Sequence, residues 1–234
     1  MSSSSASMPP SPADTLAGPD ADSPGTRTRS APQAVPGART QGRSTAVLLL
    51  LTGALGLIAS FVLAVEKYAV LADPAYVPTC SLNPVISCGT VMSSPQAELF
   101  GFPNPLLGVA GFSVLVTCGA VMMAGARLPT WFWWGLQIGV TAGVVLVHWL
   151  IYTSLYRLGA LCPYCMVVWA VTIVAFWYVS LHNLRAVTAH RTDRLARAIL
   201  VVERHHGVVL TVWFLSIATA IAQRFWLYWS TLVG

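Results

Sequence analysis

The chain has 234 residues, of which 56% are hydrophobic and only 9% charged, with a formal net charge of +5. Ordinary soluble domains are about one-quarter charged, so the composition excludes a soluble globular fold and calls for an integral membrane protein. The excess positive charge lies between and beside apolar runs, which argues for membrane topology rather than for nucleic acid as a partner.

Residues 1–43, rich in Ser, Ala, Pro, Gly and Thr, hold almost nothing that could fill a core and read as a disordered tail. The first apolar run arrives only after Arg43 and is of full spanning length, unlike the short early run of a cleaved signal peptide. A hydrocarbon core of about 30 Å takes about 20 helical residues at about 1.5 Å each. Five runs qualify, roughly 44–65, 105–126, 131–151, 161–181 and 208–230. None alternates polar and apolar residues as a membrane barrel strand does, so helices are expected. The expected fold is all-α, integral to the membrane, with five transmembrane helices. It divides into the tail 1–43, a four-helix region 44–181 with a long loop 66–104, a basic connector 182–207 and a fifth helix within 208–234.

Cytoplasmic loops keep an excess of Lys and Arg. With the N-terminus in the cytoplasm, ten of the thirteen basic residues lie on that side, and only Lys67, Arg157 and Arg224 lie outside. The loop 66–104 and a short segment 152–161 then face the exterior, which gathers Cys80, Cys88, Cys162 and Cys165 on one oxidising side. In the connector, Leu184, Val187, Leu195, Ile199 and Val202 recur at roughly helical spacing between Arg and His residues. This fits an amphipathic helix on the inner leaflet, or a solvated connector whose charge sets topology.

Cys118 falls about 18 Å down the second helix, too deep to join the other cysteines, and reads as a small buried hydrophobe. The stretch Cys162-Pro163-Tyr164-Cys165 opens the fourth helix. Free N–H groups and the positive dipole end favour thiolate there, and Pro163 suits the first helical position. Cys162 is thus expected at the exposed lip and Cys165 one turn deeper. Haem attachment would need His after the second Cys, where Met166 stands. A four-thiolate zinc site would need reduced thiols in an oxidising compartment. Inert structural disulfides stand beside the redox reading, although a Cys-X-X-Cys loop is too small to contribute much entropic stabilisation. A transporter would need a polar path through the bundle, and Gln137, His148 and Gln223 are sparse.

Together, "CSLNPVISCGTVMSS", "FGFPNPLLG" and "CPYC" resemble the vitamin K epoxide reductase family, in its bacterial, DsbB-like branch, over about residues 46–181. The resemblance implies a four-helix bundle around a quinone, with one extra C-terminal helix. It also implies that Cys80 and Cys88 are shuttle cysteines of the loop, that Cys162 and Cys165 are the active-site pair at the quinone, and that Ser94 and Asn104 are polar residues near its ring. Trp169 stands where the mammalian reductases carry Tyr, so a menaquinone- or ubiquinone-type quinone is implied rather than vitamin K epoxide. The implied activity is a thiol:quinone oxidoreductase of a bacterial inner membrane, oxidising a periplasmic thioredoxin-like carrier of the DsbA type. Read locally, Ser94 before Pro95 is also a helix cap, and Asn104 between two prolines a polar turn residue. Phe100, Phe102, Phe112, Tyr164 and Trp169 suit either an apolar ring pocket or a membrane interface.

Overall fold

The computed structural model describes residues 36–73, 75–83, 85–188, 199, 201–202, 204–226, 228 and 230. Its helices are α1 (Pro36–Ala72), α2 (Cys88–Met92), α3 (Pro105–Met123), α4 (Thr130–Thr153), α5 (Pro163–Thr188) and α6 (His206–Arg224). All but the short α2 belong to five helices long and apolar enough to cross a membrane, and no strand occurs among the described residues. The expected all-α class holds. Most of the expected tail and residues 189–198 of the basic connector lie outside the described residues.

Helix α1 packs against α3 and α5, and α4 packs against α5. The α1–α3 seam is closed by glycines: a Cβ at Gly119 would lie 2.6 Å from the Leu50 backbone nitrogen, and one at Gly53 2.7 Å from that of Val116. Lipid offers no hydrophobic drive for helices to associate, so close backbone approach supplies the packing instead. Leu49, Phe112, Leu115 and Val179 fill the core beside this seam, and Cys118 is buried among them as a small hydrophobe.

Several boundaries differ from the sequence reading. Helix α1 already begins at Pro36, inside the expected tail, and runs to Ala72, so the loop starts at 73 rather than 66. Its spanning part, Gly42–Ala72, is 31 residues. At about 1.5 Å per residue that is about 46 Å, more than the hydrocarbon core needs. The charged residues of α1's last turns, Glu66 and Lys67, are met by loop groups. Helix α4 likewise continues past 151 into a π-helical turn, Ser154–Leu158, which ends at Gly159 with φ 63°. A left-handed residue there suits glycine. Only residues 159–162 are left to connect that turn to α5.

Candidate active site

The last turns of α1 hold the loop at two places. The Glu66 carboxylate accepts hydrogen bonds from the hydroxyls of Tyr76 (3.0 Å) and Thr79 (2.6 Å), just before Cys80. Lys67 Nζ donates to the Met92 carbonyl at 2.7 Å and pairs with Glu98 at 2.9 Å, just after Cys88. Both charged side chains are buried. Buried charges persist only when paired and hydrogen-bonded, so these two act as fixed anchor points.

Between the anchors, Asn83 Oδ1 accepts the N–H groups of Val85 (3.0 Å) and Ile86 (2.7 Å), which makes an Asx turn. The chain then docks on the segment ahead of α5. Leu161 N–H donates to the Val85 carbonyl at 2.7 Å, and Ser87 N–H donates to the Leu161 carbonyl at 3.0 Å, forming one isolated parallel bridge. Ser87 then caps α2, accepting the Thr90 N–H at 3.4 Å, so that Cys88 becomes its first residue. The loop and the start of α5 are thereby joined at the positions next to Cys88 and Cys162.

Cys80 and Cys88 form a disulfide, with Cα atoms 5.6 Å apart, while Cys162 and Cys165 are free thiols. The Cys162 Sγ lies 3.0 Å from the Cys88 Sγ. All three sulfurs of Cys80, Cys88 and Cys162 fall within 4.8 Å of one another. With two of them joined, the cluster is not a thiolate ligand set for metal in this oxidation state.

As expected, Pro163 begins α5, and the Cys162 carbonyl takes the Met166 N–H at 3.0 Å, placing Cys162 at the cap. The expected exposure is corrected: Cys162 is 1% exposed because the docked loop and α2 cover it. Cys165 is the more accessible of the pair, since it opens onto a cavity. The Cys162 pKa is lowered, chiefly by the hydrogen bond from the Cys165 thiol and further by the N–H groups of Cys165 and Tyr164, against burial, which raises it. Hydrogen bonds to the charged form favour thiolate.

The cavity, of about 650 Å³, lies between α1, α3, α4 and α5, with walls almost wholly apolar. Phe100, Phe112 and Trp169 border it beside Cys165. Phe102 instead pairs with Phe100 at 6.2 Å between ring centroids, and Tyr164 packs on the sulfur cluster. Asn104 also borders the cavity. Its amide is engaged locally, Nδ2 donating to the Gln96 carbonyl at 2.7 Å and Oδ1 accepting the Leu99 N–H at 3.1 Å. Ser94 is buried, and its hydroxyl donates to the Val91 carbonyl at 2.7 Å. Ser94 holds the cap position of the 3₁₀ turn Pro95–Glu98 through its backbone, without a side-chain capping bond. The fold thus gathers the four cysteines and sets Asn104 and Trp169 in the cavity wall, whereas Ser94 does not border the cavity and touches it only through Val91, a wall residue whose carbonyl its hydroxyl bonds.

Sequence reasoning passed over Glu66, Asn83 and the anchoring role of Lys67. The available signal was two adjacent opposite charges at the end of an apolar span, in a chain with so few charges.

A disulfide with a third thiol beside it, and a fourth thiol on an apolar cavity within a helical membrane bundle, define a membrane thiol-disulfide redox protein. The family model described as Vitamin K epoxide reductase family matches residues 47–180, more than half of the chain, and the chain belongs to that family. It is therefore a membrane oxidoreductase. The match covers α1 from residue 47 to nearly the end of α5 and stops before α6. No curated protein matches the chain.

Proposed function

We propose that the protein is a DsbB-like thiol:quinone oxidoreductase, which oxidises a thioredoxin-like carrier of the DsbA type and reduces a menaquinone- or ubiquinone-type quinone. The observation that carries this reading is the 3.0 Å approach of Cys162 Sγ to the Cys80–Cys88 disulfide, with Cys165 opening onto the apolar cavity. Its volume falls in the range of small-molecule sites, and its apolar walls with few polar groups suit a quinone ring and prenyl chain. In this reading Asn104 and Trp169 line the ring site, and Ser94 acts on it only through Val91, whose carbonyl it bonds.

The carrier thiolate attacks Cys80, the more exposed of the disulfide pair at 6% against 0% for Cys88. The carrier's second thiol completes its own disulfide, and Cys80 and Cys88 are left reduced. Cys88 thiolate then attacks Cys162 of an oxidised Cys162–Cys165 pair, releasing Cys165 as thiolate. Cys80 resolves the mixed bond, so that the Cys80–Cys88 disulfide returns and Cys162 is released. The product is the state described above, a loop disulfide beside two free thiols. Two electrons and two protons leave Cys162 and Cys165 as their disulfide re-forms. The quinone supplies the two-electron acceptor. The lowered Cys162 pKa suits its part as the leaving thiolate when Cys80 resolves the mixed bond.

The proposed setting is a bacterial inner membrane with the N-terminus cytoplasmic and the cysteines exoplasmic, the arrangement the basic residues favour. Reconstitution of the full chain with reduced carrier and a defined quinone tests the reading. Stoichiometric quinone reduction is expected; four cysteines that stay oxidised with no quinone turnover would overturn it in favour of structural disulfides.

A further inference from the structure

Helix α6 lies outside the residues matched to the family, yet its last residue reaches the sulfur cluster's support. Arg224 Nε–H donates to the Leu155 carbonyl at 2.8 Å. Leu155 lies in the π-helical turn, where the N–H groups of both Gly159 and Ala160 turn to the Ser154 carbonyl. The next residue of α4's continuation, Leu155, thus has its carbonyl held by α6. From Gly159 only Ala160 and Leu161 precede Cys162, and both are buried. Leu161 is bonded on one side to Val85 and on the other to Ser87, the residue before Cys88. A shift of the turn therefore moves Leu161, and with it the register between the two sulfurs. Phe225, beside Arg224, packs in one buried cluster with Leu155, Leu161, Val85 and Trp169.

We propose that Arg224 is a positioning residue for thiol exchange, its guanidinium fixing the turn that sets Cys162 beside Cys88. The inference rests on the proposed order of the four thiols. Exchange needs near-attack geometry, and a misplacement of about 1 Å can slow such a step by about 100-fold. The Arg224 bond is charge-assisted and part-buried, a tether between α6 and the turn whose loss frees the turn to move.

The full-length chain carrying Cys165→Ser, in lipid, reports the step directly as formation of the Cys88–Cys162 bond, followed by non-reducing peptide mass spectrometry. Arg224→Gln is expected to slow it about tenfold, and Arg224→Lys, whose ammonium can reach the same carbonyl, to recover most of the rate. Trp213→Phe is the control, because Trp213 Nε1–H ties α6 to α4 at another place, bonding His148 Nε2 at 3.0 Å away from the turn. It should lower thermal stability and leave the rate unchanged. Gly159→Ala strains the turn with α6 intact, so it should slow the bond as Arg224→Gln does, and it carries the test if the latter does not fold. Equal rates in Arg224→Gln or Gly159→Ala overturn the inference, as does an equal slowing by Trp213→Phe. If Cys165→Ser alone forms no Cys88–Cys162 bond, the thiol order itself falls.

Discussion

The two cysteine pairs are positioned by opposite means. Cys162 and Cys165 take their places from a local rule: Pro163 starts α5, the cap falls on Cys162, and Cys165 follows one turn in. Cys80 and Cys88 sit in a loop whose shape is imposed from elsewhere, by Glu66 and Lys67 of α1 and by the backbone of Leu161. A helix start tolerates many neighbours, whereas the loop depends on a few long-range bonds. The pair at the helix should therefore fail chemically when mutated, and the pair in the loop should fail by losing its anchors.

The largest expected effect breaks the helix pair. Cys165→Ser should abolish quinone reduction, a drop on the order of 1,000-fold or more as for other essential nucleophiles. The chain should accumulate a Cys88–Cys162 bond with Cys80 free. Peptide mapping without reductant checks this, and a dominant Cys80–Cys162 bond would contradict the order.

The next effect loosens the loop pair. Lys67→Met leaves the Met92 carbonyl and Glu98 without their partner; because Glu98 is 39% exposed, the loss should be about 1–3 kcal/mol rather than that of a fully buried pair. Thermal unfolding should register the loss, and limited proteolysis within 73–104 should quicken while α5 stays protected. Equal protection of the loop in the variant would show that the anchors do not hold it.

A smaller effect sharpens the electrostatic side of the comparison. The Cys165 thiol stabilises Cys162 thiolate by donating to it, so its removal raises the Cys162 pKa. Cys165→Ala should form the Cys88–Cys162 bond with a pH midpoint above that of Cys165→Ser, whose hydroxyl can still donate. At a fixed pH below the midpoint, less thiolate means slower exchange. Coincident pH profiles would remove that hydrogen bond from the account.

The smallest effect is expected from removing residues 1–35. The composition of that segment offers little apolar surface to bury, so little packing is expected to be lost with it. Turnover per mole of protein should stay within about twofold, as for a change that leaves the site untouched. A larger loss in reconstituted lipid would give the segment a part in the chemistry.

The sequence alone determined the five spans, the all-α class, the redox pair at the head of α5 and the burial of Cys118, because length, hydropathy and capping are local properties that survive any tertiary arrangement. The family resemblance was legible too, in the spacing around Cys80, Cys88, Asn104 and Cys162. Tertiary structure alone decided which thiol is hidden. Cys162 occupies the lip of a helix, a position that reads as exposed, yet the loop bonded at Leu161 covers it, while Cys165 gains its access from a cavity between four helices. It also decided that Lys67 and Arg224, which read as topology charges, and Glu66, which the sequence left unremarked, are tied to backbone and loop groups near the sulfurs. Bonds between residues 10 to 69 positions apart leave no periodic trace in the chain. They exist only once the helices have packed and the loop has closed over them.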